Sequence, residues 1–101
     1  MKNEKREGLS NLLRKMSKNG YYETLSFICL KGSAHYAEIL DHSLKNAFVK
    51  SRATVTLIVR NLAALALIKR TVVDSRPIRT VYQPTEKGRK LLRLLQAMEQ
   101  L

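Results

Sequence analysis

Between Ser51 and Leu101 the apolar period switches from helical to strand-like and back, and this constrains the fold more than any other feature of the chain. Ser51 is a good N-cap, because its hydroxyl can accept from a free N–H of a first helical turn. From Arg52 onward, Val55, Ile58, Val59, Leu62 and Leu65 recur at helical spacing. Ala66 and Leu67 then lead into a β-rich run, Ile68 to Val73. Asp74-Ser75-Arg76-Pro77 is turn chemistry, and Ile78 to Gln83 is a second β-rich run, so the two runs predict a hairpin. Pro84 and the cap Thr85 open a last helix with the apolar stripe Leu91, Leu92, Leu94, Leu95, Met98 and Leu101.

Upstream the reading is helical throughout. Leu9, Leu12, Leu13 and Met16 stand at i, i+3, i+4 and i+7, and Asn19-Gly20 breaks that helix. Tyr22, Leu25, Ile28 and Cys29 form the next face, closed by Lys31-Gly32-Ser33. Ala34 to Leu40 reads as a short third helix. Asp41 to Lys50 is less periodic and reads as a turn with room for a short helical piece. The expected class is mainly α with a small β-hairpin, in the order α-α-α-α-β-β-α.

Charge is segregated along this order. The chain of 101 residues has a formal charge of +11, with 19 Lys and Arg against 8 Asp and Glu. Lys50 to Arg93 holds eleven basic residues and only Asp74 and Glu86 as acids, while Gly20 to Val49 is nearly neutral. Such a surplus repels itself in a compact fold, so a polyanionic partner is expected. Double-stranded DNA fits best. Its major groove, about 12 Å wide, admits one helix carrying short or flexible donors. Arg52, Thr54, Thr56 and Arg60 suit that role, with Lys50, Ser51 and Asn61 beside them at phosphates or bases. The basic hairpin, with Lys69, Arg70, Arg76 and Arg79, suits a phosphate backbone or a minor groove. RNA fits less well, because Tyr82 is the one aromatic in the basic region.

Val55 to Leu62, continued by Ala66-Leu67-Ile68-Lys69-Arg70, resembles the recognition helix and first wing strand of winged helix-turn-helix regulators. Pro77 to Arg89, with Tyr82, Thr85 and Gly88-Arg89, resembles their wing exit. The combination is similar to the HxlR, PadR and MarR groups, closest to HxlR in the wing. The resemblance spans about Tyr21 to Leu95 and implies a winged helix-turn-helix fold and transcription regulation. Ala66 stands where these regulators usually carry glycine. HxlR-type redox sensing uses a cysteine near the N-terminus, whereas the one cysteine here, Cys29, lies on an apolar helix face and reads as packing.

No catalytic constellation or phosphate-cradling glycine loop is present, so an enzyme is not expected and no cofactor is implied. His35, Glu38 and His42 would share a face only if one helix ran through all three, and no metal site is assigned to them. Tyr21, Tyr22 and Tyr36 read as core or interface rather than as an effector pocket, and whether an effector exists is open. The longest apolar run, Leu62 to Ile68, is far too short to cross a bilayer, and MKNEKREGLS shows no signal peptide. A cytoplasmic, nucleoid-associated protein is expected.

Three parts follow: residues 1–18 as an N-terminal arm, 19–84 as the DNA-binding domain and 85–101 as a C-terminal helix. The faces of Leu9, Leu12, Leu13 and Met16 and of Leu91, Leu94, Leu95 and Met98 exceed what one small domain needs, so they predict a homodimer. The function expected is a dimeric repressor that reads the major groove with 51–65 and the backbone or minor groove with 68–83. The alternative is a sequence-tolerant architectural protein using the same surface.

Overall fold

The computed structural model describes the backbone of residues 2–101 and side chains from residue 8. The elements are α1 (Lys2–Met16), α2 (Tyr21–Lys31), β1 (Ala34–His35), α3 (Tyr36–Lys45), α4 (Arg52–Ala64), β2 (Ile68–Val73), β3 (Arg79–Pro84) and α5 (Glu86–Glu99). The hairpin is therefore part of a three-stranded antiparallel sheet in the order β1-β3-β2. The fold is a winged helix-turn-helix: α3 and α4 form the helix-turn-helix, and β2-β3 is the wing.

Two sequence expectations are corrected. Ala34 and His35 are not the start of a helix. They pair with Tyr82 and Val81 of β3, and Ala34 is fully buried there. The His35 N–H donates to the Glu38 carboxylate at 2.9 Å, which makes His35 the N-cap of a helix that begins at Tyr36. The helix then runs through Lys45, well into the stretch read as a turn.

Both helices of the helix-turn-helix stop the same way. After α3, Ala47 N–H donates to the Leu44 carbonyl and Phe48 N–H to the Ser43 carbonyl. After α4, Ala66 N–H donates to Ala63 and Leu67 N–H to Leu62. This paired closure needs a left-handed residue past the cap. Here both are alanines, at φ 57° for Ala47 and 60° for Ala66.

Leu25, Ile28, Ile39, Ile58, Leu62 and Leu67 are fully buried between α2, α3, α4 and the sheet. Gly20, at φ 91°, admits the close approach of Val49 and Ile58, since a Cβ there would lie 2.7 Å from Val49 Cγ1. Two features fix α5 to the end of α4. Thr85 Oγ1 donates to the Ala66 carbonyl at 2.6 Å and accepts from Gly88 N–H at 3.0 Å. The Leu67 carbonyl lies against Gly88, where any Cβ would overlap it. The basic helix end and wing thus form one unit with the last helix.

Candidate nucleic-acid interface

α4 buries Val55, Ile58, Val59 and Leu62. At about 100° of turn per residue, the line opposite them runs through Ala53, Leu57, Arg60 and Ala64. All four are exposed, Leu57 by 52%. Of the residues expected to read bases, only Arg60 is on this outermost line. Arg52 and Thr56 lie on one flank and Thr54 and Asn61 on the other. Leu57 is apolar, so its residue type alone gives no signal of contact with DNA. A helical wheel of Arg52–Ala64 alone finds it.

The flanks are tied to the rest of the domain. Tyr36, at the start of α3, brings its hydroxyl within 2.7 Å of Thr56 Oγ1 and 3.4 Å of the Arg52 carbonyl oxygen. The Arg52 guanidinium sits over the Tyr36 ring, 5.7 Å from its centroid, in a cation–π contact. Tyr36 thus positions both, a role no spacing in the sequence signals, since it depends on how α3 crosses α4. Asn61 is turned inward: its amide donates to the hydroxyl of buried Tyr21 at 2.6 Å. Ser51 and Thr54 form the N-terminal cap, with Ser51 Oγ accepting from Thr54 N–H at 3.2 Å. Lys50 is exposed just before it.

The wing residues divide by register. Arg70 stands opposite Tyr82 and Val73 opposite Arg79, so Arg70 and Arg79 project from opposite faces of the hairpin. Arg70 faces α4 across a groove of about 400 Å³ lined by Thr56, Val59, Arg60, Ala63, Arg70 and Tyr82. Arg79 instead lines a neighbouring recess with Tyr36 and Ile78, while Lys69 and Arg76 are exposed on the wing. The structure therefore brings Thr56, Arg60 and Arg70 together and sets Arg79 apart. Among the described residues no guanidinium or ammonium of α4 or the wing lies within 4 Å of a carboxylate, and the one close Lys–carboxylate pair is Lys31–Glu38 at 2.9 Å. The wing is also more apolar than expected, with Val72 and Ile78 more than half exposed.

Away from this face, the groups weighed for other chemistry scatter. His42 stacks on Phe27 at 4.1 Å and accompanies Phe48, while His35 is on β1. Tyr21 is core, Tyr36 serves α4, and Tyr22 lines a groove of about 390 Å³ between α1 and α5. Burial pushes the Cys29 thiol up, with Arg89 pulling the other way. On α1 and α5, Leu9, Leu13, Leu94 and Met98 are exposed and Leu12, Leu91 and Leu95 half-buried. Met16 is largely buried against its own core and lines the groove between α1 and α5. No helix among the described residues is long and apolar enough to cross a membrane.

The likeness to known proteins agrees with this geometry. Residues 27–101 match the family described as HxlR-like helix-turn-helix. The fold is similar to the reduced form of the transcriptional regulator YodB from B. subtilis, with a TM-score of 0.73, 19% identity and coverage of 89% of this chain and 83% of that one. It is similar also to a PadR-like transcription factor from Bacteroides fragilis, with a TM-score of 0.71, 21% identity and coverage of 91% and 88%. A transcriptional regulator from Clostridium thermocellum gives 0.66, 19%, 89% and 88%. No curated protein sequence matches the chain. With the family match spanning most of its length, the chain belongs to the HxlR-like helix-turn-helix family, and the solved structures it resembles are transcriptional regulators.

Proposed function

We propose that the chain is a homodimeric repressor of transcription that binds double-stranded DNA in the cytoplasm. One observation carries this reading: Arg60 and Arg70 face each other across the groove between α4 and the wing, with no carboxylate near either among the described residues. α4 enters the major groove along Ala53, Leu57, Arg60 and Ala64. The Arg60 fork matches guanine O6 and N7. Arg70 and Arg79, on opposite faces of the wing, reach the phosphates on either side, with Lys69, Arg76 and Lys50 adding to the positive field. The exposed Leu9, Leu13, Leu94 and Met98 join two copies so that their α4 helices lie about one helical turn of DNA, roughly 34 Å, apart. Occupancy of a promoter by such a dimer excludes polymerase.

Fluorescence anisotropy on a selected duplex tests the assignment. Arg60→Ala costs about 1–3 kcal/mol on the preferred site and relaxes preference at one position. Arg79→Ala weakens all duplexes alike and lowers the salt slope by about one phosphate's worth. Wild-type binding by both variants at every salt concentration overturns the reading.

A further inference from the structure

Leu57 is an exposed leucine on the outward line of α4, next to Arg60. It is 52% exposed and belongs neither to the core nor to the apolar residues packed on it. A lone exposed leucine is ordinary on a protein surface, but the surroundings here single it out. Ala53, one turn before it, and Ala64, two turns after, end at a methyl group, so the helix can approach a partner closely along this line. Arg60 follows it on the same line, Arg52 and Arg70 lie on the Thr56 flank of the helix, and α4 contains no acid. An apolar protein partner covering Leu57 would have to desolvate these guanidiniums. A duplex offers complementary charge at the groove walls and one kind of apolar group on the groove floor, the 5-methyl of thymine.

We propose that Leu57 reads the 5-methyl group of a thymine, so that each half-site holds a T·A pair recognised by apolar contact rather than by a hydrogen bond. The proposal rests on α4 lying in the major groove and names one base that it selects there. Removing a methyl group from water against the leucine is worth about fourfold in affinity. A C·G pair at the same place binds worse still, because its N4 amino donor is left facing the isobutyl group without an acceptor. Arg60, on the next turn of the same line, places a guanine beside that thymine.

The test uses the duplex enriched from a randomised pool by the wild-type protein. Each thymine in turn is replaced by deoxyuridine, which removes only the methyl group, and binding is followed by anisotropy. In the wild type one such replacement per half-site weakens binding about fourfold, the worth of one methyl. In Leu57→Ala that penalty vanishes, while the thermal midpoint is unchanged because the side chain makes no core contact. A wild type insensitive to every replacement, or a penalty that persists in Leu57→Ala, overturns the assignment and leaves the wider DNA-binding reading intact. A pool that yields no enriched duplex overturns both this assignment and the sequence-reading repressor.

Discussion

Ala47 and Ala66 hold left-handed backbone conformations, at φ 57° and 60°, in which glycine is the residue without a steric penalty. The Cβ of an L-residue there costs about 1–2 kcal/mol. Both alanines are exposed, so replacing them with glycine removes no packing. Against the relief stands the greater freedom glycine gives the unfolded chain, about 0.4–1 kcal/mol. The difference is a stabilisation of about 0.5–1 kcal/mol at each site. For a domain near 100 residues that is a rise in Tm of roughly 2–5 °C. The closures of α3 and α4 share no hydrogen-bonded residue, so the double variant should gain about the sum. Ala64→Gly is the control: it is also exposed, but it sits in right-handed helix, and there glycine costs about 1 kcal/mol. Calorimetry or thermal circular dichroism on the four variants and the wild type decides. If Ala47→Gly and Ala66→Gly lower Tm as Ala64→Gly does, the account of how these helices end is wrong.

Three further outcomes follow from the same structure. Gly88→Ala drives a Cβ into the Leu67 carbonyl and should cost about 3 kcal/mol or more, lowering the urea midpoint at unchanged m-value; near-wild-type stability would show that α5 is not clamped there. Leu94→Glu puts a charge on the exposed face of α5, so sedimentation equilibrium should find a folded monomer whose Tm no longer depends on protein concentration, and a dimer would refute the interface. The His35 N–H, and then Lys31, hold the Glu38 carboxyl below its ordinary value of 4.5. A lowered value stabilises the fold above 4.5, and that contribution is lost as pH falls through the lowered value. The Tm advantage of wild type over Glu38→Gln should therefore be present at neutral pH and vanish in acid; an advantage that persists in acid contradicts the pairing.

Most of the fold was legible because its strongest signals are local. The Ser51 and Thr85 caps, the helical stripe of α4 and the turn after Val73 each announce themselves within a few residues. What stayed hidden depends on tertiary contact. Ala34 and His35 have no strand propensity and become β1 only because Val81 and Tyr82 offer an edge. The end of α3 was obscured because alanine, not glycine, takes the left-handed position that marks it. At the candidate site the basic residues were found by type, but their grouping needed the register. Nothing local separates Arg70 from Arg79, or shows that Asn61 is held by Tyr21 and that Thr56 and Arg52 are held by Tyr36. Leu57 was legible by its wheel position but not by its residue type.

Selection from a randomised duplex pool at roughly 0.2 M salt, where non-specific phosphate binding is weakened, tests the central claim most directly. The account predicts enrichment of a two-fold palindrome whose half-sites lie about one helical turn apart and each contain a guanine next to a thymine. DNA retained without any enriched sequence would mark an architectural protein using this surface for charge alone, and DNA not retained at all would contradict the assignment of α4 and the wing to a duplex.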